Sequence, residues 1–199
     1  MRLPSIVVVA VALGLSGCGA ESYGVAANGF FQPQIGDAYI ALSHESFLGT
    51  GDAAAVVIAP GIAVTNAHNA NIVDSASVIG TAPGFDLLYF RTDKTAMMTT
   101  AQPRDGEAVI AYGQGIKGEL RVSHGVIRKF WPAAFGYVSA AGPGFSGGPV
   151  VDAQSGALVG ITYGYLDNAD SQGRLMVAYD MAFVKSELNK LCADCRKSP

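Results

Sequence analysis

Short apolar runs, alternating or unbroken and separated by glycine- and proline-bearing turns, recur along most of this chain and predict strands. Residues 55–59 read as a buried strand, Pro60-Gly61 as a tight turn and residues 62–65 as the returning strand. Residues 85–90 form another apolar run with Asp86 at its head, where a carboxylate can be shielded from water and still reach a neighbour. Alternating runs at 107–113, 118–128, 157–163 and 174–179 complete the pattern of an all-β barrel or sandwich. Asp180 then reads as the N-cap of a closing helix over about 181–193, with Phe183, Val184, Leu188 and Leu191 on one face.

The first residues follow a different pattern. Arg2 precedes an apolar run at 6–15, too short for a bilayer span of about 20 residues and suited to a signal peptide. The run ends in Leu15-Ser16-Gly17-Cys18, which resembles a bacterial lipobox. Cleavage before Cys18 would leave its thiol to carry a diacylglycerol and anchor the protein in the cell envelope, facing the periplasm or the exterior. The alternative is ordinary cleavage near Ala20 and a secreted, soluble protein. Residues 21–35 are polar, glycine-containing and weakly patterned, so 18–35 reads as a lipidated tether ahead of a folded body at 36–199.

Composition narrows the class. Half of the 199 residues are hydrophobic and 15% are charged, enough for one well-filled domain. The net charge of −3, with no basic run beyond Arg128-Lys129 and Arg196-Lys197, gives no case for a nucleic-acid partner. Of three cysteines, Cys18 belongs to the leader, leaving Cys192 and Cys195 as an even pair. A bridge between them suits an exported protein but closes a tiny loop of small entropic benefit. A metal reading of this C-x-x-C lacks a second ligand pair. No metal or cofactor is expected, and nothing fixes an oligomeric state.

The chemistry concentrates at residues 142–149, Gly-Pro-Gly-Phe-Ser-Gly-Gly-Pro, which set Ser146 in a turn too rich in glycine and proline for a helix. An exposed hydroxyl and converging N–H groups there meet two needs of serine acyl transfer; the third is a base. All three histidines, His44, His68 and His124, precede Ser146. That order excludes the hydrolase elbow that Gly144-x-Ser146-x-Gly148 also fits, because there the histidine follows the serine. His68 sits where the 55–65 hairpin opens into a loop. His44 and His124 have no such setting and read as ordinary residues.

Thr65-Asn66-Ala67-His68, Asp86-Leu87-Leu88 and Gly144-Phe145-Ser146-Gly147-Gly148-Pro149 together resemble the signature segments of chymotrypsin-like serine proteases, closest to the bacterial HtrA-type branch. Gly160-Ile161-Thr162-Tyr163-Gly164 is similar to the strand lining the family's primary specificity pocket. The likeness runs from about Gly36 to the last helix. It implies two antiparallel β-barrels, at about 36–100 and 101–180, with a C-terminal helix and a cleft between the barrels.

By this resemblance Ser146 is the nucleophile, His68 the base and Asp86 the group that orients His68, while the N–H groups of Gly144 and Ser146 form the oxyanion hole. It also has the Thr162 hydroxyl donating to Asp86. Ala140 falls at the pocket's base, Ala141 beside it, Tyr163 along one side and Gly164 on the far wall. No carboxylate falls among them, so an uncharged side chain of a protein or peptide substrate is expected there; Asp167 and Asp170, in the following loop, are the carboxylates whose placement bears on this.

Three departures stand out. Phe145 replaces the aspartate that pairs with a newly cut N-terminus in digestive proteases. The disulfide those enzymes place beside the histidine is missing. The His68–Asp86 interval is short, 18 residues (86 − 68), so the hairpin within it must be trimmed. Asp74, six residues after His68 (74 − 68), is a rival acid but has no apolar strand behind it. The chain closes soon after the last helix, so the PDZ domain of HtrA-type proteases is not expected. The remaining alternative to a protease is an inactive protein on this fold that serves as a binding module.

Overall fold

The structure, a computed structural model, describes residues 24–26, 33–46, 49–115, 118–166 and 174–192, without the side chains of residues 26, 33, 34, 44–46 and 49–51. The leader, Cys18, Cys195, Asp167 and Asp170 therefore lie outside the described residues.

Among the described residues, twelve strands form two antiparallel sheets. The first contains β2 (Tyr39–Ser46), β3 (Gly49–Ala59), β4 (Ile62–Thr65), β5 (Val78–Thr81) and β6 (Leu88–Arg91), ordered β2-β3-β4-β6-β5. The second contains β1 (Val25–Ala26), β7 (Ala108–Gln114), β8 (Leu120–Trp131), β9 (Ala134–Ser139), β10 (Pro149–Asp152), β11 (Leu158–Leu166) and β12 (Arg174–Asp180). Its order is β1-β8-β7-β10-β11-β12-β9, and β8 also pairs with β9, so β7 to β12 close into a barrel. A short helix α1 (Pro33–Ala38) precedes the first sheet and α2 (Met181–Leu191) ends the described chain.

The unbroken apolar run in β3 follows from burial on both faces. Ala53 and Ala55 join Leu42, Ala63, Leu88 and Phe90 on one side of the first sheet. Ala54 and Val56 point the other way, into a larger cluster shared with Tyr112, Val151, Ile161, Tyr179, Val184 and Leu188. That cluster spans both sheets and α2, so the two halves are packed together rather than tethered. A third cluster, with Val109, Ile127, Phe135, Tyr137, Phe145 and Val159, fills the second barrel.

The closing helix forms as its sequence predicts. The Phe183 N–H donates to Asp180 Oδ1 at 2.8 Å, satisfying one of the helix's open donors. Val184 and Leu188 are buried, and Phe183 and Leu191 pack against the same core. The Tyr89 hydroxyl donates to the Val184 carbonyl at 2.8 Å and ties the helix to the first sheet.

The segment read as a tether holds two ordered elements. β1 pairs with β8 through Val25–Val122 and Ala26–Arg121, and α1 begins at Pro33. No described helix is long and apolar enough to cross a membrane.

Candidate active site

His68 lies in a 3-10 turn, Ala67–Ile72, that begins two residues after β4. The fully buried Thr65 and Asn66 anchor its entry. The Thr65 hydroxyl donates to the Ala54 carbonyl at 2.7 Å, and Asn66 Nδ2 donates to the Asp86 carbonyl at 3.0 Å. The interval between His68 and Asp86 holds this turn, a second 3-10 turn at Ser75–Ser77 and the four-residue β5. That economy leaves the first sheet with five strands.

One carboxylate engages His68 twice. The His68 N–H donates to Asp86 Oδ1 at 2.9 Å, and Nδ1 lies 2.6 Å from Asp86 Oδ2. With the ring proton held at Nδ1, Nε2 is left as the acceptor, the tautomer a general base needs. Asp74, the rival acid, is turned elsewhere and accepts from the Ala76 N–H at 3.0 Å. Asp86 is less shielded than its place before an apolar run suggests. The strand starts only at Leu88, and the Asp86 side chain keeps 30% exposure beside 48% for His68.

Ser146 is carried to this pair by its own backbone. Its carbonyl accepts from the Ala54 N–H at 2.9 Å and from Asn69 Nδ2, one residue beyond His68, at 3.5 Å. A Cβ at Gly147, whose φ is +78°, would collide with the Ala54 carbonyl oxygen and Thr65 Oγ1. Only glycine allows that conformation and that approach without strain. The turn is further fixed by bonds from Gly147 N–H to the Thr162 carbonyl at 2.8 Å and from Gly148 N–H to the Phe145 carbonyl at 2.9 Å.

Two donors of the turn are left over. Gln114 N–H donates to the Gly144 carbonyl at 2.9 Å and Phe145 N–H to the Gly142 carbonyl at 3.1 Å. The N–H groups of Gly144 and Ser146 find no acceptor among the described residues. Buried or half-buried amides are nearly always paired, so two open donors flanking one residue form a ready anion site. The Ser146 hydroxyl, half-buried, likewise makes no hydrogen bond among the described residues.

Thr162 departs from the expected role. Its hydroxyl is fully buried and lies 2.8 Å from the Tyr137 hydroxyl, inside the second barrel, so it does not donate to Asp86. Burial drives the Tyr137 phenol well above its usual range, which keeps it neutral. A different side chain from the second barrel reaches the acid: the Asp86 N–H donates to the Tyr179 hydroxyl at 3.1 Å. Tyr163 stacks on Tyr179, with ring centroids 4.2 Å apart, and Phe85 and Phe183 extend the aromatic wall. Burial, with the Asp86 charge adding to it, raises the Tyr163 phenol.

Nothing in the sequence spacing marked Tyr179 or Asn69. Tyr179 is one more apolar position of an alternating run, and its hydroxyl matters only because the second barrel faces the first sheet.

Ala140, expected at the base of the specificity pocket, is exposed instead, because it follows the end of β9; Ala141 is fully buried, and the space in front of Gly164 is open. His124 is exposed on β8 and stands outside the site, while the side chain of His44 is outside the described ones. Cys192 is disulfide-bonded, with its partner outside the described residues. No group of three or more metal-ligating side chains exists among the described residues. A separate cleft of about 540 Å³ lies around Arg104, Glu107 and Asp152, whose charges pair with one another, and it holds none of the candidate residues.

No family model and no curated protein sequence matches the chain. Solved structures do. The HtrA-type protease AlgW, solved with a tripeptide, superposes with a TM-score of 0.63 at 21% identity, over 79% of this chain and 62% of that one. The serine endoprotease from Yersinia pestis gives 0.64 at 19%, over 81% and 66%. The Rv3671c protease from M. tuberculosis in its active form gives 0.64 at 17%, over 80% and 84%. This chain thus spans somewhat under two thirds of AlgW. Two packed antiparallel β bodies, with a glycine-rich serine turn in one and a paired histidine and aspartate in the other, make the chymotrypsin-like fold that these solved proteases share.

Proposed function

We propose that the protein is a serine endopeptidase that works through Ser146, His68 and Asp86 and an acyl-enzyme. The observation that carries the reading is the double contact of Asp86 with His68, which leaves Nε2 free to accept a proton. Ser146 Oγ adds to the scissile carbonyl as its proton passes to His68 Nε2. The negative charge moves onto the carbonyl oxygen, which the N–H groups of Gly144 and Ser146 receive. Collapse breaks the C–N bond, and the amine leaves with the proton from Nε2. Water then repeats the sequence on the ester and releases the acid. Losing one oxyanion donor slows such reactions by roughly 10²–10³-fold.

The deciding experiment is labelling of the purified protein with a fluorophosphonate. Wild type should be labelled at Ser146, and Ser146→Ala should not. An unlabelled wild type would favour the other reading, a binding protein on an inactive protease fold, for which the unbonded Ser146 hydroxyl and the loss of the activating aspartate at Phe145 both speak.

Substrate choice rests on the segments that the resemblance assigns to the pocket, with Ala140, Ala141, Tyr163 and Gly164, which bring no charge and favour an uncharged side chain, small to medium or aromatic. Burying a lysine or arginine there without a partner would be costly. A peptide library should show cleavage after uncharged residues; a dominant preference for Arg or Lys would mean that a carboxylate such as Asp167 or Asp170 enters the pocket.

The enzyme acts in the bacterial envelope, held by a lipid on Cys18. Cys18→Ser should release it from membranes or block its maturation. A variant still membrane-bound at wild-type size would end the lipoprotein reading in favour of another anchor.

A further inference from the structure

Strand β1 is short. It pairs with β8 through two residues, and Val25 is 61% exposed. What it does touch is the serine turn. The Gly24 N–H donates to the Ala140 carbonyl at 3.2 Å, and the Gly24 carbonyl accepts from the Arg121 guanidinium. A Cβ on Gly24, whose φ is +65°, would stand 2.5 Å from the Val122 carbonyl oxygen and 2.9 Å from Phe145 Cζ. The Gly24 backbone therefore lies directly against the tip of the Phe145 ring.

The root of that ring is covered from another side. A Cβ on Gly113 would lie 2.6 Å from Phe145 Cγ, so β7 approaches the ring as closely as β1 does. Phe145 is fully buried, with backbone against it at both ends. It also separates the two residues whose N–H groups are open, Gly144 and Ser146. With both walls present the ring has one place to sit, and the peptide units beside it are fixed. With the Gly24 wall gone it can change rotamer, and the flanking N–H groups can turn with it.

We infer that β1, with Gly24 at its head, is a positioning element that holds Phe145 and so aims the Gly144 and Ser146 N–H groups at a developing oxyanion. The contact is apolar and needs neither a new amino terminus nor a charge at residue 145. This rests on the endopeptidase reading above.

Gly24→Ala in the full chain tests it, with kcat and KM on a peptide ester and hydrogen exchange of the amides at 142–148. The expected result is a fall in kcat of about tenfold or more, bounded by the roughly 10²–10³-fold loss of a whole donor, with KM nearly unchanged. Exchange at 142–148 should rise in parallel. Arg121→Gln, which removes the clamp on the Gly24 carbonyl, should act in the same direction and decides the matter if Gly24→Ala does not fold. Gly106→Ala supplies the cost of a left-handed alanine alone, since Gly106 has φ +73° and open space before it.

Wild-type kcat in both Gly24→Ala and Arg121→Gln, or an equal fall in Gly106→Ala, would overturn the inference. If wild type fails to react with fluorophosphonate, the endopeptidase reading falls separately. The exchange measurement then still decides whether β1 holds the turn, and unchanged exchange in the variants would overturn it.

Discussion

Replacing Thr162 by valine separates the role of this residue in the resemblance from its place in the structure. The swap keeps shape and deletes one hydroxyl. The backbone bonds of Thr162 to Gly147 and Gly148, at 2.8 and 3.0 Å, stay intact. What is lost is the 2.8 Å bond to Tyr137, whose hydroxyl has no other partner among the described residues and no access to water. A buried hydroxyl left unpaired costs about 1–3 kcal/mol, which in a domain of this size lowers the melting midpoint by about 2–4 °C per kcal/mol. Tyr137→Phe should cost less, because the freed threonine hydroxyl can turn to a strand carbonyl. The double variant should be about as stable as Tyr137→Phe alone, giving a coupling of about 1 kcal/mol or more in a double-mutant cycle. Urea titration with unchanged slope is the assay, alongside kcat at a temperature where every variant is folded. Thr162→Val should keep kcat within about a factor of two, under roughly 0.5 kcal/mol in the barrier. Wild-type stability with a large loss of kcat would refute this reasoning and show that the hydroxyl serves Asp86.

Three further outcomes are expected. Gly147→Ala should abolish labelling of Ser146 and destabilise the fold, because its methyl group has no space between Ala54 and Thr65; a labelled, stable variant would mean the barrels are not this close. Tyr179→Phe removes the acceptor of the Asp86 N–H, so kcat should fall about two- to tenfold with KM unchanged, whereas a shift in KM alone would assign Tyr179 to substrate binding. Asp180→Ala deletes the cap of α2 and should cost about 1 kcal/mol without touching kcat; a melting midpoint equal to wild type would show that the helix does not depend on its cap.

How much of this was legible in the sequence depended on the range of the interaction. The 55–65 hairpin, the alternating runs and the capped helix are local patterns, and β3, β4, β7, β8, β11, β12 and α2 form where those patterns lie. Asp86 could be preferred over Asp74 because the competing acid sits in the loop just after His68, and the structure turns Asp74 to its own backbone. The orientation of Thr162 was not legible. Alternation says that a strand residue faces one side or the other, and the strand irregularity between Thr162 and Gly164 breaks that count at this very point. The seating of Gly24 on Phe145 was beyond reach for another reason. A glycine in a polar segment carries no sign of what packs on it, and its contacts lie about a hundred residues away or more.

The Ser146 carbonyl shows how a serine on the second barrel is held beside a histidine on the first sheet. Its two donors, the Ala54 N–H and Asn69 Nδ2, both belong to the first sheet and its His68-bearing turn, while Gly147 and Gly148 bind Thr162 on the second. The serine is therefore bonded to both halves within three residues. A displacement of one barrel against the other breaks these bonds before it exposes much of the apolar cluster between them. The loss of a bond at Ser146 would separate Ser146 from His68, whereas the core would lose only a little buried area. Tyr179 adds the reciprocal link, from the second barrel to Asp86 on the first. Catalytic geometry in this fold should thus be more sensitive than global stability to the docking of its two halves, and changes in the shared cluster at Tyr112 or Ile161 should lower kcat before they lower the melting midpoint in proportion.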